Sequence, residues 1–393
     1  MVQRFWRRSR NGRAEPSTPQ PSTAEPSTGS PVATAEPPVP APTEPPGAEP
    51  PSVDALLAEA DRRIGSDGVF ATIEWLRAAN VERREPEIDA RILRLRHEAF
   101  AALPPQTGRD VWPPQVEDRF AGVEGCPEVT VDQLDADVLA SAVTRHGCLL
   151  VRNLVPPAVA KRLVETIDTA FKACDERTIQ HSGAWPGSWY RPFRPGPGYP
   201  QPAEGHRGWV RSAGGVLAAD SPPAFETMIS AFEDAGLREV ISGYLGERPI
   251  MSVDKCTLRR VPLDLGGAEW HQDGSFLGDG IRTLNVWLAL SPCGGDRPSP
   301  GLDLVPKRFD ALVPTHTDGA YFDWSVGHGL AVRESADAPI IRPEFEAGDA
   351  LLFDDLFLHR TALEPTMTDE RYAIESWFFA GSCYPGDSTP VVF

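Results

Sequence analysis

The chain has 393 residues, with 38 basic and 56 acidic side chains and a formal net charge of −18. A body this acidic repels phosphate backbones, which disfavours nucleic acid as a partner, and no apolar run approaches the roughly 20 residues of a membrane span. The six cysteines form no C-x-x-C pair, so we expect reduced thiols in a cytoplasmic protein rather than a zinc ribbon.

Residues 1–52 are predicted to be a disordered, proline-rich tail. The first 13 residues carry five arginines and no acid, and the rest repeats AEPST and TAEP with almost no large apolar side chains. Such a segment cannot offset the entropy of ordering. We expect a solvated tether, with contact of Phe5 and Trp6 at an anionic membrane surface as the alternative.

Residues 53–104 are predicted to form two or three short helices. Apolar residues recur at helical spacing, Ser52 is placed to cap the first helix, and Pro86 suits the first turn of the last. His97 falls on the charged side of that helix, so we expect it at the surface. The segment is either a protein-docking module or an N-terminal support, and its pattern does not choose between these roles.

Residues 105–393 are predicted to be one domain that is mostly β with flanking helices. A strand is expected in HGCLLVRNLV (146–155), followed by an amphipathic helix. Further strands are expected at 250–261, 268–273, 282–290, 301–306, 349–355 and 371–380. Short strands separated by Gly, Pro and Asp turns, without βαβ alternation, favour a sandwich or barrel of the jelly-roll type.

The segment WHQDGSF at 270–276 carries two candidate metal ligands, His271 and Asp273. Eight histidines and 56 acidic residues predict about one chance match to H-x-[DE], so the motif alone decides little. On a strand, however, a period of two points both side chains to one face, with Gln272 on the other. His359, which follows a Gly-Asp turn and an apolar strand, is the candidate for a third ligand.

Two histidines and one carboxylate are the ligand set that binds Fe(II) and leaves positions open for a cosubstrate and O₂. A 2-oxoacid cosubstrate would present a distal carboxylate, which a guanidinium suits. Arg371 lies twelve residues after His359 on the next predicted strand, so it is the expected partner of that carboxylate. Thr361, two residues past His359, is the expected second donor.

This combination resembles the phytanoyl-CoA dioxygenase-like family of Fe(II)/2-oxoglutarate-dependent oxygenases over roughly residues 125–380. The likeness rests on WHQDG, on GDALLF followed by HRT, on the arginine of the next strand, and on HGCLLVRNLVPPAVAKRLVETIDTAF. The resemblance implies a double-stranded β-helix (jelly-roll or cupin-like) core, with Fe(II) on His271, Asp273 and His359 and 2-oxoglutarate on Arg371. Related halogenases replace the carboxylate by a small residue, so Asp273 favours hydroxylation.

Side chains on two neighbouring strands are further candidates for this site. Alternation places Lys255 and Arg259 on one face of their strand, and Thr283 and Asn285 on one face of theirs. If these faces point inward, Lys255 and Thr283 are candidates for the cosubstrate site. The alternative is that Lys255 and Arg259 are solvated charges on an outer face.

Residues 181–215 are predicted to form a lid over the iron, because they are dense in aromatic residues, Arg, Gly and Pro and lack a regular period. The expected substrate contacts are Trp185, Trp189, Tyr190, Arg191, Arg194, Trp209 and Arg211. The arginines suggest an anionic substrate. The alternative is a structural Ω-loop that is packed by its own side chains.

Together the patterns predict an Fe(II)- and 2-oxoglutarate-dependent oxygenase that hydroxylates a C–H bond of a small molecule. It would consume O₂ and convert 2-oxoglutarate to succinate and CO₂. Two alternatives stay open. One is a hydroxylase of protein or peptide side chains, and the other is a non-catalytic cupin-like module that binds a metal or ligand.

Overall fold

The structure is a computed structural model that describes residues 50–179, 189–263, 269–336 and 338–393. In these ranges the α-helices are α1 (Val53–Ser66), α2 (Val69–Asn80), α3 (Pro86–Ala102), α4 (Ala136–His146), α5 (Pro157–Ile179), α6 (Glu204–Ser212), α7 (Pro222–Asp234), α8 (Leu237–Leu245), α9 (Gly274–Leu277) and α10 (His328–Ser335). The strands are β1 (Glu128–Thr130), β2 (Cys148–Arg152), β3 (Gly215–Leu217), β4 (Pro249–Val261), β5 (Thr283–Ala289), β6 (Cys293–Gly294), β7 (Gly301–Leu304), β8 (Glu344–Phe345), β9 (Ala350–Phe353), β10 (His359–Ala362), β11 (Arg371–Ala380) and β12 (Pro390–Val392). The tail predicted for 1–52 lies almost entirely outside the described residues.

The expectation of a mostly β chain is corrected by the helix content, since more of the described residues lie in helices than in strands. The difference arises before Pro249, where the chain forms the five helices α4 to α8. Four of these helices pack on the sheet. The fold is a large, mostly antiparallel sheet with flanking helices. Every predicted strand contains an observed one, except that at 268–273.

The large sheet has the strand order β1-β2-β9-β5-β11-β4-β12, with β3 paired to β4. Only β1–β2 is parallel among its described pairs. Both central strands, TLNVWLA of β5 and ALLF of β9, are buried along their whole length, as their apolar and β-branched residues predict. Two small sheets, β7–β10 and β6–β8, accompany it.

A buried apolar region, here called the chamber, lies between the large sheet and the two small ones. Trp287, Phe353 and Trp377 on the large sheet share one buried cluster with Leu304 and Phe345 of the small sheets. Since side chains alternate along a strand, the inward face is the one that carries these residues. The residues that could meet a ligand in the chamber are therefore fixed by strand register.

The opposite face of the large sheet is covered by helices. Leu139 of α4, Leu163 of α5 and Phe232 of α7 share a buried cluster with Val286 and Phe378 of the sheet. Apolar residues at helical spacing thus produce one continuous layer against the sheet. No helix in the described ranges is long and apolar enough to cross a membrane.

The N-terminal helices pack on the body of the protein. Ser52 caps α1, its hydroxyl accepting from the Ala55 N–H at 3.2 Å, and Pro86 begins α3, as predicted. Ala99 of α3 is buried together with Ile250 and Val392. These contacts agree with the role of an N-terminal support within the protein. Docking of another protein stays a prediction.

The surface position predicted for His97 is wrong. Its side chain is 2% exposed. Nδ1 lies 2.7 Å from the Pro390 carbonyl oxygen, and Nε2 accepts a hydrogen bond from the Gly196 N–H at 2.9 Å. Burial lowers the pKa of His97, so the neutral ring ties α3 to two distant segments. The helix pattern was correct, but the side taken as solvated faces the protein.

Candidate metal centre

Three side chains converge at the edge of the chamber: His271, Asp273 and His359. Each offers one ligand atom, and these atoms lie within 4.8 Å of one another. His271 Nε2 is 3.2 Å from an Asp273 carboxylate oxygen, and the centroids of the two imidazole rings are 4.4 Å apart. Asp273 and His359 are buried. The structure therefore brings together the three residues that the sequence singles out.

The backbone that positions them differs from the predicted strand. His271 and His359 form an isolated antiparallel bridge, in which each backbone N–H donates to the other residue's carbonyl at 3.0 Å. Asp273 is already helical, with φ −64° and ψ −24°, and leads into α9. Asp273 thus reaches the side of His271 through a turn, and the strand expected at 268–273 is reduced to bridges at Trp270 and His271.

Both histidines are held so that Nε2 faces the other two ligand atoms. His271 Nδ1 lies 2.8 Å from the Glu269 carbonyl oxygen, and His359 Nδ1 lies 3.0 Å from that of Phe357. A carbonyl only accepts, so each Nδ1 carries the proton and each Nε2 keeps its lone pair. Such outer hydrogen bonds are typical of metal-ligating histidines. The donor set of two imidazole nitrogens and one carboxylate fits a divalent metal ion.

The electrostatics favour the protonation state that a metal ligand needs at Asp273 and His359, whereas the pKa of His271 is shifted towards the protonated form. Burial would lower the pKa of His271, but the hydrogen bond and charge of Asp273 outweigh it and raise that pKa. Burial would raise the pKa of Asp273, whereas His271, His359 and Lys255 lower it. Burial and the charge of His271 lower the pKa of His359 to about 4. Near neutral pH, Asp273 is ionised and His359 is neutral.

Arg371 lies in the same chamber, at the start of β11, and is 1% exposed. Its Nη1 donates to the Gly301 carbonyl at 3.1 Å, and its guanidinium carbon lies 5.1 Å from the centroid of the Trp287 ring. No carboxylate of the described residues lies within ion-pair distance of it. Burial lowers the pKa of Arg371, because a buried cation lacks the hydration it has in water. An anionic ligand would supply the missing charge.

Polar atoms without a partner lie between Arg371 and the metal ligands. Arg371 Nε, Trp287 Nε1 and Asn285 Oδ1 are buried and make no hydrogen bond to the part of the chain that the structure describes. Asn285 is in register with Phe353, whose ring centroid is 4.7 Å from that of His359. Buried polar groups are normally paired, so this line of atoms indicates a place for a polar ligand.

The alternative of an outer, solvated face for Lys255 and Arg259 is wrong. Lys255 Nζ lies 4.5 Å from the ring centroid of Phe276, beside the metal ligands, and burial lowers the pKa of Lys255. Arg259 is paired with Glu375, with 2.8 Å between nitrogen and carboxylate oxygen. Arg259 lies on the inward face of β4, opposite Ala373 on the inward face of β11.

The two threonines predicted for the cosubstrate site differ from each other. Thr283 is fully buried, and its hydroxyl donates to the Asp355 carboxylate at 3.0 Å. Its donor is therefore committed within the protein, and its role at the cosubstrate stays a prediction; burial raises the pKa of Asp355 to about 6. Thr361 is half-buried on β10, opposite Leu302 of β7.

The predicted lid is described only in part, because residues 180–188, with Trp185, lie outside the described ranges. Tyr190 is 4% exposed and donates to the Asp220 carboxylate at 3.3 Å. Arg211 forms two 2.8 Å hydrogen bonds with the Asp175 carboxylate. Both side chains thus pair with residues outside the predicted lid, and their role as substrate contacts stays a prediction.

The remaining lid candidates are more accessible. Arg191 and Arg194 are exposed, and Trp189 is half-buried, its carbonyl accepting from the Ser221 hydroxyl at 2.6 Å. Trp209 is half-buried on α6, with its ring stacked on His206 at a centroid distance of 6.2 Å. Nothing in these contacts assigns the four residues to a substrate, so that role stays a prediction.

Sequence reasoning missed a group of aromatic residues beside His271. The Trp324 ring lies edge-on at 5.5 Å from the His271 ring, and the Phe276 ring lies at 6.2 Å, both between centroids. Phe322 stacks on Trp324 at 4.8 Å. The signal was present as YFDW at 321–324, a stretch in which three of the four residues are aromatic.

Comparison with known proteins gives structural similarities only. No family profile matches the chain, and no curated protein matches it. The structure of AviO1 from Streptomyces viridochromogenes Tue57 is 16% identical, covers 65% of this chain and 99% of its own, and has a TM-score of 0.40. EctD from S. alaskensis, with 2-oxoglutarate and 5-hydroxyectoine, is 17% identical over 71% of this chain and 88% of its own, with a TM-score of 0.40.

A third similar structure is SnoK, a non-heme α-ketoglutarate-dependent carbocyclase from nogalamycin biosynthesis. It is 13% identical, covers 68% of this chain and 99% of its own, and has a TM-score of 0.41. EctD has also been solved with bound Fe. Identities and TM-scores at this level describe likeness alone, so the site of the present chain is argued from its own residues.

Proposed function

We propose that this protein is an Fe(II)- and 2-oxoglutarate-dependent oxygenase. The observation that carries the proposal is the convergence of His271, Asp273 and His359 within 4.8 Å, with both Nδ1 atoms next to backbone carbonyl oxygens. Two imidazoles and one carboxylate leave coordination positions open, as non-haem Fe(II) oxygenases require. A hydrolytic zinc site can share this ligand set, but it gives no reason for a buried arginine without a carboxylate partner.

The proposed cosubstrate site runs from Arg371 towards the metal. The guanidinium would bind the distal carboxylate of 2-oxoglutarate, since that charge is the one the chamber lacks. Trp287 Nε1 and Asn285 Oδ1 are unpaired among the described residues and lie between the two ends of the site. Lys255, beside Phe276, and Thr361 on β10 are the further groups proposed near the cosubstrate.

Bound iron supplies the activation of O₂. The overall reaction is R–H + O₂ + 2-oxoglutarate → R–OH + succinate + CO₂, in which one oxygen atom enters the alcohol and the other enters succinate. The chain orients the two substrates and excludes water through the apolar chamber of Leu304, Phe353 and Trp377. We assign the chain to the phytanoyl-CoA dioxygenase-like branch, with a jelly-roll core and a cytoplasmic location, on the motifs described above.

The test is formation of succinate and CO₂ from 2-oxoglutarate in air, with Fe(II) and a panel of small metabolites. We expect at least one metabolite to stimulate succinate formation, and His271→Ala and Arg371→Met to abolish it. His146→Ala is the matched control, because His146 pairs with Asp118 and contacts none of the metal ligands. Stimulation by peptides alone would favour the side-chain hydroxylase, and metal binding without any succinate would favour the non-catalytic module.

A further inference from the structure

Three aromatic side chains form a surface that begins at a metal ligand. Phe276, Phe322 and Trp324, here called the aromatic wall, lie in one connected group. Trp324 contacts the His271 ring edge-on at 5.5 Å and the Phe276 ring at 5.6 Å. Phe322 stacks on Trp324 at 4.8 Å with 7° between the ring planes. The wall therefore extends outward from the metal centre as a set of flat apolar faces.

The wall is fixed to the backbone beside the metal ligands. The Glu269 carboxylate accepts hydrogen bonds from the N–H groups of Tyr321 and Phe322 at 2.8 and 3.2 Å, and from the Ser325 hydroxyl. The Glu269 carbonyl oxygen lies 2.8 Å from His271 Nδ1. One residue thus holds both the loop of the wall and a metal ligand. Binding surfaces gain affinity from such pre-organisation, because little order is lost on binding.

The residues of the wall are less deeply buried than the apolar core beside them. Phe276, Phe322 and Trp324 are only half-buried, and Tyr321, at the edge of the wall, is 78% exposed. Half-exposed aromatic residues that adjoin buried metal ligands are typical of a ligand site, where ring faces bind flat apolar molecules. The wall is part of the same site as Asp273 and His359, so a molecule lying on it would be next to the metal.

We propose that the substrate of the oxygenase is a planar, multi-ring molecule that stacks on the aromatic wall and presents a ring-edge or substituent C–H to the metal. This inference rests on the proposed function for the reaction, but the binding step is separate from it. A flat π system should bind the wall more tightly than a saturated skeleton of equal size, because aromatic pairs contribute binding free energy beyond that of the buried area. The wall thereby selects for planarity.

The test compares two probes with the same carbon skeleton and hydroxyl position, the flat aromatic 2-naphthol and the puckered, saturated decahydro-2-naphthol. Binding is measured by calorimetry on the purified full-length protein without added iron or 2-oxoglutarate. We expect 2-naphthol to bind about tenfold more tightly than its saturated counterpart. Phe322→Leu and Trp324→Leu should each remove most of that preference. Phe120→Leu, which changes a half-buried ring beside His146, should keep it.

Equal binding of the two probes, no binding of 2-naphthol, or an equal loss of preference in Phe120→Leu would each overturn the inference. Failure of the proposed function has a different signature, because the calorimetry requires neither iron nor turnover. Loss of naphthol preference with substrate-stimulated succinate intact removes the substrate class alone. Naphthol preference in a protein that never forms succinate supports the wall and removes the oxygenase.

Discussion

Two groups of titratable side chains lie in the interior of this protein. They differ in whether the partners of these side chains are other residues of the chain. The metal centre contains His271, Asp273 and His359, whose ligand atoms face a common point while backbone carbonyls hold the histidines from behind. The interhelical charge cluster contains Arg77, Arg96, Asp89, Glu226 and Glu233, between the N-terminal helices and α7.

In the charge cluster, opposite charges face each other. Arg77 pairs with both Glu226 and Glu233, and Arg96 lies 3.5 Å from Glu233. In the metal centre, two bases and a carboxylate face a point that no protein cation occupies among the described residues. The comparison teaches that burial of titratable groups does not by itself mark a site. A site is marked by a set of lone pairs that the chain holds in place but does not use for its own hydrogen bonds or ion pairs, so that a ligand can bind them.

The largest expected effect separates two buried histidines. His359→Ala should reduce Fe(II) affinity about 100-fold or more, because it removes one of three ligands. His97→Ala, at a position that is equally buried but hydrogen-bonded within the protein, should leave Fe(II) affinity unchanged and lower the Tm. Anaerobic calorimetry with Fe(II) and thermal unfolding measure the two effects. Equal losses of iron affinity in both variants would contradict the distinction.

The next effect concerns the charge cluster. Arg96→Met should destabilise the protein by about 1–3 kcal/mol, because it removes one of the cations that face Glu226 and Glu233, while Arg77 still pairs with both carboxylates. Arg62→Met is the control, because its side chain is 74% exposed, and it should cost less than about 0.5 kcal/mol. Urea unfolding measures both. A loss for Arg96→Met no larger than that of the control would show that the cluster does not act as a buried ion-pair network.

The pH dependence of stability tests the same cluster from the acid side. Burial and the charge of Glu226 raise the pKa of Asp89 to about 7 from its ordinary value of 3.8. The folded state therefore holds the proton more tightly, and its stability falls as pH rises between about 4 and 7. Asp89→Asn keeps the acceptor for Asn80 and removes this fall, so it should gain ~1–3 kcal/mol relative to wild type at pH 8 and little at pH 4. Urea unfolding at both pH values measures the difference, and parallel pH profiles would contradict the assignment.

The smallest effect concerns Glu269, which serves the metal ligand through its carbonyl and the aromatic wall through its carboxylate. Glu269→Gln keeps the carbonyl and weakens the carboxylate contacts to the loop. We expect 2-naphthol affinity to fall about three- to tenfold and Fe(II) affinity to change less than about twofold. Calorimetry with each ligand measures both quantities. An equal fall for both ligands would show that the two functions of Glu269 are not separable.

Much of the metal centre could be predicted from sequence because its ligands are tied to local patterns. His271 and Asp273 are two residues apart, and His359 begins the strand that pairs with His271. Arg371 begins the next strand, so its position follows from a short connection. Even so, the alternation argument for Asp273 was wrong in detail, since the chain turns into α9 and still brings the carboxylate to His271.

The errors share a physical cause, which is long-range pairing. The same kind of pairing, which the sequence did not reveal, joins Tyr190 and Arg211 to Asp220 and Asp175 outside the predicted lid. His97 looks solvated until the C-terminal strand is placed beside α3. The aromatic wall was missed because its loop lies about 50 residues from His271 in sequence and is held beside it by long-range hydrogen bonds to Ser275 and Glu269. Sequence patterns give the faces of elements, whereas these contacts depend on which elements meet.

The most direct test of the central claim is the optical spectrum of the protein under anaerobic conditions with Fe(II) and 2-oxoglutarate. A 2-oxoacid bound to the iron through its keto-acid end should give a visible charge-transfer band. We expect this band in the wild type, its loss in His271→Ala, and a much higher 2-oxoglutarate concentration to produce it in Arg371→Met. The absence of a band in the wild type, or a band unchanged in His271→Ala, would contradict the account.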